Sequence, residues 1–103
     1  MEVNNSLIGM EILEHFAPII RAAAHPLRLR IIDYLRREGC PRSVSQIISS
    51  AGAGQSVVSQ QLRILKDMGI LNARREGNHI LYDIANPSVL LLLECIRSHE
   101  SRR

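Results

Sequence analysis

Apolar residues recur along the chain at two periods, and each change of period marks an element boundary. Ile12, Phe16, Ile19, Ile20 and Ala23 follow at three- and four-residue steps, which predicts one face of a first helix. Asn4, Asn5 and Ser6 offer caps for it, and Pro18 lies within the pattern, where it predicts a kink or a division. Pro26 suits the first turn of a second helix with Leu27, Ile31, Tyr34 and Leu35 as its inward stripe, stopped at Gly39-Cys40-Pro41. Ser43 and Gln46 have capping-box spacing and open a short third helix through Ile47 and Ile48. After the turn Ala51-Gly52-Ala53-Gly54, a fourth helix runs from about Gln55 to Met68, with Gly69 ending it.

From there the period shortens to two. Ile70–Arg75 and His79–Ile84 alternate around Gly77-Asn78, a hairpin signal, with Ile80, Tyr82 and Ile84 on one face. Asn86-Pro87 then caps a last helix carrying Val89, Leu92, Leu93 and Ile96 on one side. The order is four helices, a hairpin and a helix: a mainly α fold with a small β-hairpin. Two strands alone are not stable, so the hairpin must lean on the helices.

The 103 residues suffice for one domain, residues 1–103. Phe16, Tyr34 and Tyr82 are the only aromatic residues, so the core must be aliphatic. A domain of this size buries a modest share of its surface alone, which favours dimerisation. Net charge is +3, unevenly spread: residues 1–20 hold three acids and no Lys or Arg, leaving 13 basic against 7 acidic groups in the rest. A basic body suits a polyanion, although a merely basic soluble surface has the same composition. The start has no basic segment leading into an apolar stretch, and the longest apolar run, Val89–Leu93, is far below a membrane span. A cytoplasmic protein without a membrane partner is expected, with Cys40 and Cys95 as free thiols.

The chemistry concentrates on the short third helix, the turn and the fourth helix. On a helical wheel Val58, Leu62 and Leu65 fall together and face the core. Ser56, Ser59, Gln60 and Arg63 fall opposite, a face of hydroxyls, an amide and a guanidinium without an acid. Such groups suit base edges and phosphates, whereas a plain solvated helix more often mixes in Glu–Lys pairs. On the hairpin, Arg74 and Arg75 precede the tip and Asn78 and His79 follow it, so a basic hairpin beside that helix reaches a phosphate backbone or minor groove.

These features together resemble the ArsR family of winged helix-turn-helix repressors. The strings that carry the resemblance are Ala24-His25-Pro26-Leu27-Arg28-Leu29-Arg30-Ile31, Ser56-Val57-Val58-Ser59-Gln60-Gln61-Leu62, Gly69-Ile70-Leu71, and Arg74-Arg75-Glu76-Gly77-Asn78 with Tyr82, across roughly residues 17–99. The resemblance implies a homodimer built from the first and last helices, with Ile12, Phe16, Val89, Leu92, Leu93 and Ile96 at the seam. It also implies a recognition helix in which Gln55, Ser56, Ser59 and Gln60 take the DNA-contacting positions. Where the family usually has a capping Ser before the Gln-Ser pair, this chain has Gly54, a weaker cap by a few tenths of a kcal/mol.

The same resemblance bears on effectors. The cysteine ligands that some relatives carry at the start of the third helix correspond to Ser43 and Ser45, poor ligands for soft ions. The zinc ligands that others carry around the last helix correspond to Asn86, Ser88, His99 and Arg102, where only His99 is a ligand type. The cysteine pair of thiol-sensing relatives corresponds to Asp33 and Ser101. A repressor without metal or cofactor is therefore expected, binding a palindromic DNA operator. Cys40, with Arg37 and Arg42 close in sequence, and Cys95, on the edge of the last helix's apolar face, are the candidates for a thiol switch. A winged-helix module for a protein partner is the alternative from another class. No phosphate loop, paired acids or nucleophile–base motif points to an enzyme.

Overall fold

The computed structural model describes residues 6–100. Its elements are α1 (Met10–Ala23), α2 (Pro26–Glu38), β1 (Arg42–Ser43), α3 (Val44–Ala51), α4 (Gln55–Asp67), β2 (Leu71–Glu76), β3 (His79–Ile84), a 3-10 turn (Pro87–Val89) and α5 (Leu90–Glu100). The architecture is that of a winged helix-turn-helix. One departure from the expected order is β1: its two residues pair antiparallel with β3, Arg42 opposite Tyr82 and Ser43 opposite Leu81, so the sheet has three strands in the order β1-β3-β2. Two residues are too few for a period to register, and Pro41 and the Ser43 cap point to a turn instead.

Helix α1 has Gly9 as its N-cap and not one of the expected residues; Ser6 lies ahead of it, and Asn4 and Asn5 lie outside the described residues. It runs unbroken through Pro18, so the expected division does not occur. α2 has Pro26 in its first turn and ends on Gly39 at φ 68°, a left-handed conformation that glycine adopts without steric cost. The capping box of α3 forms as expected: the Ser43 hydroxyl accepts from the Gln46 amide at 3.3 Å, and the Gln46 side chain accepts from the Ser43 amide at 2.9 Å. The last helix opens as a 3-10 turn, with Asn86 Oδ1 accepting from the Ser88 amide at 3.1 Å.

One core holds these elements together. Ile31, Ile32 and Leu35 of α2, Ile47 of α3, Val58, Leu62 and Leu65 of α4, and Ile70, Leu71 and Tyr82 of the wing are all buried in it. Val58, Leu62 and Leu65, predicted as the inward face of α4, are each wholly inaccessible. Ile32, absent from the predicted stripe of α2, is equally buried because α2 is covered from two sides. α1 enters the core only through its C-terminal turn, Ala22 and Ala23, with Ile19 partly packed on it. Among the described residues no helix is long and apolar enough to cross a membrane.

Candidate nucleic-acid interface

Helices α3 and α4 are joined by a short turn centred on Gly52, whose φ of 75° lets the chain reverse at the end of α3. α4 then presents Gln55, Ser56, Ser59, Gln60 and Arg63 as exposed residues along its outer side. Its N-cap Gly54 supplies no side-chain hydrogen bond, and the first backbone bond of the helix runs from Val58 N to Gly54 O at 3.0 Å. The amides of the first turn thus remain suited to an anion, with the positive end of the helix dipole behind them.

The wing stands beside this helix. β2 and β3 pair from Leu71–Ile84 to Glu76–His79, which leaves Gly77-Asn78 as a two-residue loop with Gly77 at φ 62°. A positive φ at the first loop position is the tight turn whose twist matches the strands. The wing tip and the start of α4 border the same space: Gln55, Asn78 and His79, with Ser45 and Ser49 of α3, line one open groove of about 560 Å³. Two features singled out separately in the sequence, Gln55 of the helix and Asn78-His79 of the hairpin, are thereby brought to one place.

Arg74 and Arg75 are separated by the fold. Adjacent strand residues point to opposite faces. Arg75 lies opposite Ile80, on the ribbon face shared with Ala73 and Tyr82, whereas Arg74 lies opposite Leu81. Arg74 Nη2 is 3.5 Å from the Glu76 carboxylate and is partly neutralised by it. Arg63 of α4 lies close enough to Tyr82 to oppose the upward shift that burial imposes on its phenol. The positive charges of helix and wing therefore border a common surface.

Behind α4, Arg28 of α2 donates from Nε to Gln61 Oε1 at 2.6 Å and from Nη1 to the Ala22 carbonyl at 3.0 Å. Gln61 and Arg28 both lie within the strings that resemble the family, but nothing in their spacing foretells the contact.

The expected seam divides in two. Val89 and Leu93 are buried in the protomer's own core, so they offer little surface to a partner. Ile12, Phe16 and Ile96 are exposed, and Leu92 is partly packed. Leu91, not among the expected residues, is 70% exposed, and Ile20 is 50% exposed. The five-residue apolar run at 89–93 masks which residue faces out. Between α1 and α5 lies an apolar groove of about 380 Å³ whose apolar lining is Phe16, Ile19, Ile20, Val89, Leu91 and Leu92; Ile12 and Ile96 lie outside it.

The candidate effector residues take ordinary structural roles. Ser43 and Ser45 sit 3.2 Å apart at the cap of α3, and Asn86 caps the last helix. His99 is exposed near the end of α5; Ser101 and Arg102 lie outside the described residues. Among the described residues no group of three His, Cys, Asp or Glu is placed to hold a metal ion. Cys40 and Cys95 are free and exposed, although Cys95 lies on the edge of the last helix's apolar face. Arg37 and Arg42 both turn to Glu38, at 3.1 and 3.0 Å. Asp33 instead binds Arg36 and Arg97, each at 2.8 Å, tying α2 to α5. Burial would raise its carboxyl, but the two guanidinium groups outweigh that and hold it below the ordinary aspartate value.

Comparison with known proteins agrees with this geometry. Residues 25–73 match the profile described as bacterial regulatory protein, arsR family. The uncharacterized HTH-type transcriptional regulator Rv0081 of Mycobacterium tuberculosis is 40% identical over 82 residues, covering 79% of this chain and 70% of that one. Its crystal structure aligns with a TM-score of 0.70 over 93% of each chain, at 36% identity. The AntR antimony-specific transcriptional repressor aligns with a TM-score of 0.84 at 31% identity, over 97% of this chain and 92% of its own. A homodimeric winged helix-turn-helix DNA-binding domain from Mycobacterium bovis aligns with a TM-score of 0.73 at 29% identity, over 97% and 91%.

Proposed function

Because the chain belongs to the ArsR family of bacterial regulatory proteins, and is thus a DNA-binding transcriptional repressor, we propose that it acts as a homodimer on a palindromic operator. The observation that carries this reading is the acid-free outer face of α4 with Asn78 and His79 of the wing beside its first turn. In the proposed complex α4 enters the major groove. Gln60 offers the paired donor and acceptor that match adenine, while Gln55, Ser56 and Ser59 bond base edges or phosphates. Arg63, Arg75, Asn78 and His79 hold the backbone on either side. Arg74, paired with Glu76, contributes less.

The dimer is proposed to form through α1 and α5, where exposed Ile12, Phe16, Ile20, Leu91 and Ile96 leave an apolar surface. Control by a metal at the family positions is not part of the proposal, because Ser43, Ser45 and Asn86 are donors of the wrong chemistry; Ser43 and Asn86 serve as helix caps and the Ser45 hydroxyl bonds to that of Ser43. Both cysteines are exposed thiols, which favours an oxidant-responsive repressor as the second reading.

Titration of duplex DNA from the region upstream of the protein's own gene tests the reading. Tight, salt-dependent and sequence-selective binding is expected. Equal affinity for unrelated duplexes, or none for any duplex, would leave a protein-interaction module as the better description.

A further inference from the structure

Val57 is the one apolar residue of α4 that is exposed; 45% of it is accessible, and the remaining apolar positions of the helix are buried or partly packed. Isolated exposed apolar residues are common on protein surfaces, so exposure alone says little. Its position says more. Val57 is the third residue of α4, following Gln55 and Ser56. That is the place where Glu or Gln completes a capping box, and α3 of this same chain has Gln46 there, bonded back to Ser43. α4 has glycine at its cap and a β-branched apolar residue at the third position, so both local preferences for starting a helix are forgone. α1 shows the same departure, with Gly9 at its cap and Ile12 third, so the missing cap alone marks no site; Val57 is set apart by standing exposed in the first turn of α4, three residues before Gln60 on the helix that carries the acid-free face. An acid there would also face DNA phosphates.

We propose that Val57 determines operator specificity by packing its methyl groups against the C5-methyl of a thymine in each half-site. This rests on the reading of α4 as the recognition helix. The first turn of such a helix is the part that meets base edges, and the thymine methyl is the apolar feature of the major groove. Val57 lies three residues before Gln60, about 60° away around the helix. Side chains so placed are neighbours on the helix surface, so the thymine lies within one or two base pairs of the adenine that Gln60 reads. The α1–α5 groove does not compete for Val57, since its lining comes from those helices and the turn between β3 and α5.

The test uses the full chain and an operator selected from random duplexes. Thymines are replaced one at a time by deoxyuridine, which removes only the methyl, and binding is measured for wild type and Val57→Ala. One thymine per half-site is expected where the replacement weakens wild-type binding about fourfold, the effect of one buried methyl. Val57→Ala binds the thymine operator correspondingly less tightly and is indifferent to deoxyuridine at that position. Its melting temperature, unchanged because the side chain is exposed, excludes a folding defect. Sequence-selective wild-type binding that no deoxyuridine alters would overturn the role of Val57 and leave the repressor reading intact. So would an equal loss for Val57→Ala on both operators. If no selective duplex emerges, the recognition-helix reading fails and takes this inference with it.

Discussion

Arg28 on α2 and Gln61 on α4 share a 2.6 Å hydrogen bond, and the same guanidinium holds the Ala22 carbonyl at the end of α1 at 3.0 Å. One side chain therefore fixes the inner edge of α4, the proposed reading helix, to α1, whose exposed apolar residues are proposed for the dimer seam. Arg28→Met keeps the aliphatic stem and removes both bonds. Partly buried bonds of this kind contribute about 1–2 kcal/mol together, so the melting temperature should fall by several degrees, roughly 4–8 °C per kcal/mol. Gln61→Leu made alone and with Arg28→Met completes a cycle, and the two losses should not add. Additive losses would mean that the bond contributes nothing to the fold.

The division of the apolar run at 89–93 separates assembly from folding. Leu91→Asp places a charge on an exposed residue and should give folded monomers by sedimentation, with helical content kept. Leu93→Asp buries an uncompensated charge in the core and should unfold the chain. A stable wild-type monomer at micromolar concentration would remove the basis for the proposed dimer.

Helix and wing should fail in different ways. Gln60→Ala is expected to cost about 1–3 kcal/mol on the preferred operator and to relax choice at one base position in each half-site. Arg75→Ala should weaken all duplexes about equally and reduce the salt slope by about one for each phosphate that goes unneutralised. Arg74→Ala should do less, because Glu76 already partly neutralises that charge. Half-sites should lie about one helical turn, ~10 bp, apart or slightly more. Loss of sequence preference in Arg75→Ala but not in Gln60→Ala would assign reading to the wing.

Effector control is checked on the same DNA complex. Zinc, cadmium or arsenite should leave it intact at stoichiometric concentration, and stoichiometric release would contradict the proposal. If an oxidant releases DNA, Cys40→Ser should abolish the response and Cys95→Ser should not. A response that survives Cys40→Ser excludes that thiol.

The Asp33–Arg97 tie predicts a pH effect confined to acid. Asp33 titrates below its ordinary value of 3.8 in the folded chain, so the unfolded chain binds more protons as pH falls through that range. The stabilisation is therefore full above the ordinary value and lost below it. Both partners are substantially exposed, which limits the pair to at most about 1 kcal/mol. The melting difference between wild type and Asp33→Asn should be constant from pH 7 to pH 5 and should close below about pH 4. A difference that persists there would assign the effect to packing.

Most of the fold was legible because it is built from local signals. The Ser43–Gln46 box, Pro26 at a helix start, Gly39 at a helix end and the Gly77-Asn78 loop each act within four residues, and each stands where its chemistry requires. Val58, Leu62 and Leu65 announced the buried side of α4, and by subtraction its outer side, because helical period is a property of sequence. Strand β1 escaped notice because it exists only by virtue of its partner β3, some 40 residues further on.

By itself, then, the order of residues determined the elements, the core face of α4 and the residue types of the candidate DNA surface. Tertiary structure decided which of those residues meet. It buried Val89 and Leu93 and turned Leu91 outward, a choice that an unbroken apolar run cannot encode. It drew Gln55, Asn78 and His79 to one groove. It also joined Arg28 to Gln61 and Asp33 to Arg97. Local preferences act through neighbouring backbone, whereas these pairings depend on how helices and sheet pack around a shared core, and that packing is fixed only when the whole chain has folded.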